Sequence, residues 1–365
     1  MRVAFLGDIA LFGRYSARNN YLDFFSAIKD KLVSCDYVIA NLETPLTNEK
    51  KTIGGRSAYL KGMPIDCDVL KYLNVTHVTL ANNHIFDYCK KGLEDTIEIL
   101  HTNGIQTYGI GSDYCVLSDT DNILCLRGYC CYSTNGRKIG NSKESVNSLE
   151  YDKVILDLEK DKQIGRKTIL SIHWGTEHVH YPSVDQVQFA HEIAERYDVV
   201  VHGHHPHVVQ GYELVDKSLI MYSLGNFCFD DVFTSKSSKP LIKLSHDNKT
   251  TFIMVLNFAQ NEILNMEIVP ISFDDGNHSI TDAKSLNLEK LSGCFKNKPE
   301  LEYNYNNEMK AYLSTHKKER DLKWYIKRLN FESIRILYYE YMCSMKYKNE
   351  FQKKVYHYET TDRKQ

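Results

Sequence analysis

Short runs of β-branched and aromatic residues recur along the first 200 residues, and each run ends in polar residues. Between several of these runs, apolar positions follow the three-to-four spacing of an amphipathic helix. This alternation is typical of βαβ units and of layered α/β architecture. The predicted strands are Val3–Leu6, Tyr37–Ala40, Val75–Leu80, Gln106–Ile110, Ile123–Leu126, Thr168–Ile172 and Val199–Val201, and the predicted helices are Tyr21–Val33, Asp66–Leu73, Lys90–Asn103 and Val184–Arg196.

Three later apolar runs follow one another without a clear helical pattern between them. They are Leu219–Tyr222, Phe252–Phe258 and Ile263–Ile271. Because strands joined without a crossover helix pair antiparallel, we expect the sheet to become antiparallel in this part of the chain.

The character of the sequence changes after about Phe273. A polar stretch rich in Asp, Asn, Ser and Lys leads to a Tyr- and Lys-rich segment with no further strand pattern. Apolar residues there return to helical spacing: Leu322, Tyr325, Ile326, Leu329, Ile334, Leu337, Tyr338, Tyr341 and Met345. We predict a main domain over residues 1–275, a polar linker over 276–300 and a helical extension over 301–365. The helices are expected to pack on the main domain or on each other, with a partner or membrane surface as the alternative.

The composition is that of a globular protein with a substantial core. Of the 365 residues, 42% are hydrophobic and 25% are charged, which excludes an intrinsically disordered chain. The 45 Lys and Arg residues nearly balance the 47 Asp and Glu residues. No bulk positive field would attract nucleic acid, so we predict no nucleic-acid partner, and an acidic substrate must be bound by a local site.

Nothing in the sequence predicts export or membrane insertion. The apolar run Val3–Leu6 is too short for a signal peptide. No stretch approaches the roughly 18 consecutive apolar residues of a membrane helix. The ten cysteines are scattered without Cys-x-x-Cys spacing, which is typical of reduced thiols. We therefore expect a cytoplasmic protein without a membrane span.

Histidine is concentrated in one part of the chain, since eight of the fifteen histidines lie between residues 173 and 207. Polar blocks directly follow five predicted strands, where α/β folds gather ligands. The blocks are Gly7-Asp8, Asn41-Leu42-Glu43, Asn82-Asn83-His84, His173-Trp174-Gly175 and Gly203-His204-His205-Pro206-His207. Their carboxylates, imidazoles and amides suit Mn²⁺, Zn²⁺ or iron, and no block contains cysteine. The sequence thus predicts one or two divalent metal ions that activate water.

The same blocks, in this order, resemble a known family. The series Gly-Asp, Asn-Leu-Glu, Asn-Asn-His, His-Trp-Gly-x-Glu, Gly-x-His-Pro-His-Val-x-Gln and Tyr-Ser-Leu-Gly-Asn-Phe is similar to the CapA family of poly-γ-glutamate and capsule synthesis proteins. That family belongs to the calcineurin-like metallophosphatase superfamily. The resemblance covers roughly residues 1–275 and implies a four-layer α-β-β-α sandwich of two mixed sheets, in agreement with the strand pattern.

Carried over residue by residue, the family pattern implies six metal ligands. They are Asp8, Glu43, Asn83, His173, His205 and His207. Asp8 and His207 would hold the first ion, and Glu43 would bridge both ions. The remaining three ligands would hold the second ion.

Three other histidines and one alanine belong to the same pattern. His84 resembles the superfamily histidine that stabilises developing charge or protonates the leaving group. His202 and His204 alternate with the ligands along their strand, and we expect them to support the site. Superfamily phosphatases begin with Asp-x-His, whereas this chain has Ala10 at that position. The first metal therefore lacks one protein ligand, and a single metal ion is the alternative.

Further side chains are predicted to act on the substrate. The Arg14 guanidinium suits a forked pair with a carboxylate or phosphate, and a surface salt bridge is the alternative. Glu177 is predicted to orient a ligand or recognise substrate. The stretch Gly54–Gly62, with the cations Arg56 and Lys61, is predicted to be a mobile substrate loop.

Three functions are compatible with these features. The family resemblance implies a metal-dependent hydrolase or transferase in which metal-activated water attacks an amide of an acidic polymer such as poly-γ-glutamate. A metallophosphoesterase is the second, because two metals also suit in-line attack on phosphorus. The third is a non-catalytic capsule-assembly subunit whose C-terminal helices bind a capsule-synthesis partner. Hydrolysis of a generic aryl phosphate with added Mn²⁺ would favour the phosphoesterase.

Overall fold

Two β-sheets form the centre of the molecule. The computed structural model describes residues 1–54, 56, 58–134, 145–234, 238–274, 277–281, 286–318 and 331–361. The strands are β1 (Arg2–Ile9), β2 (Tyr37–Leu42), β3 (His77–Thr79), β4 (Gln106–Tyr108), β5 (Tyr114–Ser118), β6 (Ile123–Cys130), β7 (Lys167–His173), β8 (Val199–His204), β9 (Tyr212–Val215), β10 (Ser218–Met221), β11 (Asn226–Cys228), β12 (Thr250–Ala259), β13 (Glu262–Asp274) and β14 (Asn277–Ile280).

The helices lie between and after these strands. They are α1 (Tyr21–Phe24), α2 (Ser26–Val33), α3 (Cys67–Tyr72), α4 (Cys89–Thr102), α5 (Tyr151–Gln163), α6 (Val184–Tyr197), α7 (Leu288–Gly293), α8 (Lys298–Lys318), α9 (Phe331–Lys346) and α10 (Lys353–Thr361). A π-helical segment, Tyr347–Gln352, joins α9 to α10. None of the described helices combines the length and the apolar composition that a membrane crossing requires.

Both sheets are mixed. The first has the order β14-β13-β12-β1-β2-β3-β4, with β11 paired to the end of β1. Its β1 to β4 run parallel, and β12 to β14 add antiparallel pairs. The second has the order β5-β6-β7-β8-β10-β9, parallel from β6 to β10 and antiparallel at both edges. The carboxyl ends of β1, β2, β7 and β8 carry the residues described below.

The sheets face each other, and helices cover their outer faces. Along β1, Phe5 points between the sheets, where its ring contacts the His202 ring at 5.2 Å. Tyr108 and Ser171 hydrogen-bond across the same gap at 2.7 Å. Leu6 points the other way, as the period of two in a strand requires, and joins the core beneath α2 and α4. Helices α5 and α6 bury apolar residues on the second sheet. The predicted four-layer α/β architecture is confirmed.

Some elements differ from the sequence-based prediction. The predicted antiparallel strands are present, but Leu219–Tyr222 falls mostly in β10, which also pairs parallel with β8 in the second sheet. Strand β5 was not predicted because Tyr114 and Val116 are exposed on an edge, where a strand needs no buried run. Helix α5 was not predicted either, since most of its surface is charged.

The C-terminal helices lie against the second sheet's outer layer. Phe351 is fully buried and packs edge-on against Phe189 of α6, and the Tyr347 hydroxyl bonds to Asp185. On α9 the apolar residues Ile334, Leu337, Tyr338 and Tyr341 are exposed. The predicted stripe residues Leu322, Tyr325, Ile326 and Leu329 lie outside the described residues.

The segment predicted as a polar linker contains regular structure. Strand β14 pairs antiparallel with β13. Helix α7 contributes Leu288 and Leu291 to the core cluster of the second sheet. The domain boundaries at residues 275 and 300 stay a prediction.

Gly203 in β8 sits where no side chain fits. A Cβ there would lie 1.9 Å from the Tyr222 carbonyl oxygen, which is backbone and cannot rotate away. We expect Gly203→Ala to lower the free energy of unfolding by roughly 3 kcal/mol, the upper range for overpacking. Urea unfolding measures it. Gly293→Ala is the control, because nothing lies within 4 Å of its Cβ position, and alanine at this last residue of α7 should not lower the free energy of unfolding. Equal stability of the two variants would contradict the prediction.

Candidate metal centre

The centre forms where the carboxyl ends of strands from both sheets meet. In the first sheet, Asp8 of β1 lies in register with Asn41 of β2 and Asn226 of β11. In the second sheet, His173 of β7 lies in register with His204 of β8. Because the carboxyl ends of these strands lie close together, side chains that are distant in sequence share one buried volume.

Asp8 is fully buried and surrounded by donors. Its Oδ1 accepts a hydrogen bond from Asn41 Nδ2 at 2.9 Å and lies 3.0 Å from His204 Nδ1. Its Oδ2 accepts from the His205 backbone N–H at 3.1 Å and lies 3.4 Å from His207 Nδ1. Burial alone would raise the pKa of Asp8, but the hydrogen bond and charge of His204 and the charge of His207 lower it to about 2. Asp8 is therefore a carboxylate with donors fixed around it.

Glu43 is the second fully buried carboxylate. Its Oε1 lies 3.9 Å from His173 Nδ1, and its Oε2 lies 3.9 Å from His207 Nε2. Among the described residues Oε2 has no hydrogen-bond partner. Burial, followed by the charge of Asp8, raises the pKa of Glu43 well above its usual value. A buried carboxylate with an unpartnered oxygen beside another carboxylate is the environment that a cation stabilises.

Asn83 and His173 meet on the other side of Glu43. The Asn83 Oδ1 lies 3.0 Å from His173 Nε2, and both residues are buried. Burial, with the nearby imidazoles, lowers the pKa of His173 well below its usual value, so the ring is neutral, as a metal ligand must be. Asp8, Glu43 and His173 each offer a ligand atom within 4.8 Å of the others. This mixed O and N set fits a divalent metal.

His205 and His207 form a second group with Glu177. Each of the three offers a ligand atom within 4.8 Å of the others. The sequence-based assignment of His205 to the ion held by Asn83 and His173 stays a prediction; the His205 ring lies 4.6 Å from the His173 ring. His205 and His207 have positive φ, 97° and 57°, a region rarely occupied by non-glycine residues. Such strain is typical of functional sites.

His84 lies beside the centre and has a carboxylate partner of its own. Its Nδ1 is 2.7 Å from Asp87 Oδ2. Asp87 also accepts from the Leu60 backbone N–H and pairs with Arg56 Nε at 3.1 Å. The Arg56 guanidinium in turn donates to the Asn83 carbonyl. With Asp87 on Nδ1, the ring is held so that Nε2 remains available for proton transfer.

The sequence comparison decides the family. The family model described as "Bacterial capsule synthesis protein PGA_cap" matches residues 2–231, well over half of the chain. That span contains every residue of the centre described above. The chain belongs to the PGA_cap family. The resemblance inferred from the sequence blocks is thereby confirmed.

Named relatives of this PGA_cap protein come from bacteria. "Capsule biosynthesis protein CapA" of Bacillus anthracis is 27% identical over 303 residues, covering 76% of this chain and 68% of that protein. "PGA biosynthesis protein CapA" of Bacillus subtilis is 26% identical over 258 residues, 67% of each. Among solved structures, a hypothetical protein from Thermus thermophilus has 17% identity and a TM-score of 0.46, covering 75% of this chain and all of that one. The NAD nucleotidase of Haemophilus influenzae has 15% identity and a TM-score of 0.42, and the match covers 84% of this chain and 67% of that one.

The predicted substrate cations of this PGA_cap protein have partners within the chain. Arg14 Nε pairs with Asp230 Oδ1 at 2.9 Å, outside both ligand groups. Lys61 Nζ donates to the Glu49 carbonyl at 3.2 Å. In the predicted substrate loop, Gly55 and Ser57 lie outside the described residues, so its mobility stays a prediction.

Three supporting amides and one carboxylate of the PGA_cap centre were given no direct role by sequence reasoning. Asn41 contacts both Asp8 and Glu43, and Asn82 donates to the Asn41 Oδ1 at 3.1 Å. Asn226 Oδ1 lies 2.9 Å from His207 Nδ1. The three asparagines lie within the sequence blocks that carry the family resemblance, and this was the signal that could have identified them. The carboxylate is Asp87, the partner of His84. It lies three residues after His84 in the same turn, and none of the quoted blocks contains it.

A small cavity of about 40 Å³ opens on the centre. Its polar lining includes His84, Glu177, His178 and His207. Its apolar lining is Ala58, Leu60, Phe229, Val232, Ile242 and Leu244. Substrate atoms that enter here would meet His84 and the second ligand group together.

Proposed function

We propose that this protein is a metal-dependent hydrolase or transferase of capsule biosynthesis that acts at an amide of an acidic polymer such as poly-γ-glutamate. The observation that carries this proposal is the coincidence of the PGA_cap match, residues 2–231, with the buried cluster of carboxylates and imidazoles. The relatives' names, capsule biosynthesis protein and PGA biosynthesis protein, support the class of polymer.

The donor set supports a divalent ion at Asp8, Glu43 and His173, with Asn83 beside His173. Two carboxylates lie together in a fully buried site, and the Glu43 Oε2 has no partner among the described residues. Bound there, a Mn²⁺, Zn²⁺ or iron ion would supply positive charge for the carbonyl and an acidified water molecule.

His84 is the proposed proton donor to the leaving amine. Asp87 holds its Nδ1 side, so the opposite nitrogen, Nε2, can carry the proton that an amide leaving group requires. The side chain lines the cavity and is partly exposed, which gives it access to a bound polymer.

Cations of the first sheet's loops are the proposed contacts for substrate carboxylates. Arg56 lies beside His84, since both pair with Asp87, and Arg14 and Lys61 are the other two candidates. A guanidinium already paired with one carboxylate retains donors for a second one. Glu177 is placed at the cavity wall, where it can meet both a ligand and a substrate amide.

The test compares an amide with a phosphoester. Purified full-length protein with added Mn²⁺ or Zn²⁺ is incubated with a γ-linked glutamate oligomer and, separately, with p-nitrophenyl phosphate. We expect metal-dependent release of amines from the oligomer, suppressed by EDTA, and no release of nitrophenol. Release of nitrophenol alone would replace the proposal with a phosphoesterase, and no turnover of either substrate would favour an assembly subunit.

A further inference from the structure

We propose that a cleft between the loop after β7 and helices α7 and α8 binds a free acidic α-amino acid, whose ammonium group meets Asp247 and Glu308 and whose carboxylate meets Lys290. The cleft has a volume of about 230 Å³. None of its described lining residues belongs to either ligand group of the metal centre. The inference does not depend on the proposed reaction.

Three parts of the chain meet at this cleft. His180 and Tyr181 belong to the loop after β7, and Asp247 lies just before β12. Lys290 belongs to α7 and Glu308 to α8. The Glu308 carboxylate accepts a hydrogen bond from the His180 backbone N–H at 2.6 Å, which joins α8 to the loop. The C-terminal part of the chain therefore completes the cleft.

The acidic groups of the cleft carry more charge than their partner neutralises. The His180 ring lies between two carboxylates, with Nδ1 3.5 Å from Glu308 Oε2 and Nε2 3.6 Å from Asp247 Oδ2. Burial alone would lower the pKa of His180, but the hydrogen bond and charge of Glu308 and the charge of Asp247 raise it. Even a protonated imidazole neutralises only one of the two carboxylates. An ammonium group can balance the other, and Asp247 is 61% exposed to it.

Other side chains of the same cleft are donors that a carboxylate can use. Lys290 is exposed, and no described residue forms an ion pair with its ammonium group. The Asn287 side chain makes no capping hydrogen bond to α7. An ammonium group and an amide N–H group both donate to carboxylate oxygens. Because one cleft offers unneutralised acidic groups and free donors together, its charges fit a zwitterion better than a simple anion or cation.

The remaining lining and the size of the cleft favour a small ligand with methylene groups. The apolar lining residues are buried: Tyr181, Val209, Leu286 and Leu291. The volume is below the roughly 300–1,000 Å³ of pockets for drug-sized ligands. A second carboxylate on the ligand would meet the remaining polar side chains, His246 and Asn287. An acidic amino acid such as glutamate combines these features.

The segment that carries Asp247 is already held in place. The neighbouring Asn248 is buried, and its amide donates to the His207 carbonyl at 2.8 Å and lies 3.0 Å from His178 Nδ1. A binding site that is formed before its ligand arrives loses less conformational entropy on binding. The position of the Asp247 carboxylate therefore does not have to be created by the ligand.

The experiment uses full-length protein kept in EDTA, so that an amino acid cannot bind through a metal ion. L-glutamate is titrated by calorimetry at constant ionic strength, and two analogues are titrated in the same way. Glutarate lacks the amino group, and 4-aminobutyrate lacks the α-carboxylate. We expect L-glutamate to bind and each analogue to bind at least about 10-fold more weakly, the effect of losing one charged hydrogen bond.

Two substitutions test where the ligand lies. Asp247→Asn should weaken L-glutamate binding at least about 10-fold without weakening glutarate binding, whereas Lys290→Met should weaken the binding of both. Glu289→Gln is the matched control, because Glu289 is an exposed carboxylate next to Lys290 that does not line the cleft. Native-like thermal melting of each variant would show that the chain remains folded.

Three results would overturn the inference. The first is no binding of L-glutamate at millimolar concentration. The second is equal binding of glutarate, which would make the cleft an anion site. The third is unchanged L-glutamate affinity in both Asp247→Asn and Lys290→Met, which would place the amino acid elsewhere. The proposed function fails separately, because none of these measurements requires turnover of a polymer.

Discussion

Replacing Glu43 with glutamine should abolish tight metal binding and lower amide turnover by at least about 10²-fold, the effect of removing one preorganised electrostatic group. Glu43 contributes an oxygen toward each ligand group, since Oε1 faces His173 and Oε2 faces His207 at 3.9 Å. Loss of its charge should therefore weaken metal binding at both ligand groups. Elemental analysis and steady-state kinetics measure the two effects.

In the metal-free protein, the same substitution should not lower the melting temperature. Burial and the neighbouring Asp8 raise the pKa of Glu43, which means that the folded chain disfavours its ionised form. Glutamine removes that charge at nearly constant volume, so metal-free Glu43→Gln should melt no lower than metal-free native protein. Added Mn²⁺ should raise the melting temperature of the native protein more than that of the variant.

Glu49→Gln is the control for this prediction, because the half-buried Glu49 carboxylate on the following loop accepts from the Lys50 and Lys51 backbone N–H groups and belongs to neither ligand group. It should retain native metal content and turnover. Full metal content in Glu43→Gln would show that the carboxylate is not a ligand.

Replacing His84 with glutamine should lower kcat by about 10²–10⁴-fold, the usual range for loss of a general acid or base. The reason is that His84 lines the cavity and is oriented by Asp87, but belongs to neither ligand group. Metal content should stay native. Kinetics and elemental analysis on the same preparation separate proton transfer from metal binding.

His101→Gln is the matched histidine control. His101 bonds to the Thr107 hydroxyl away from the centre, so the kcat of the His101→Gln variant should equal that of the native protein. A His84→Gln variant that loses metal together with activity would make His84 a support for a ligand, and one with native kcat would remove it from the mechanism.

Much of the centre follows from the strand pattern. Asp8 and Asn41 end consecutive apolar runs, which most often become neighbouring strands and are parallel neighbours here, and His173 and His204 end two such runs in the second sheet. A polar residue at the end of such a run is necessarily carried to the shared edge of the sheet. The position of these side chains is thus fixed by hydrophobic periodicity, which the sequence displays directly.

The remainder depends on backbone conformations that periodicity does not encode. Glu177 reaches His205 and His207 because of the path of the loop after β7, and the histidines themselves are held at positive φ. Asp87 meets His84 within a tight turn. On α9, helical spacing predicts an amphipathic stripe, but spacing alone does not show that Leu337 and Tyr341 are exposed.

The docking of the C-terminal helices has a consequence for how the chain can be divided. Phe351 packs against Phe189 of α6, and the Tyr347 hydroxyl bonds to Asp185 of the same helix. Glu308 accepts a hydrogen bond from the backbone N–H of His180, on the loop after β7. A chain shortened at residue 275 would expose this apolar layer to water and release the loop that also bears Glu177. Loss of activity after such a truncation would therefore report damage to the metal centre as readily as loss of a partner. Single substitutions on the exposed face of α9, such as Leu337→Lys, leave those contacts in place and are the sounder way to look for a binding partner.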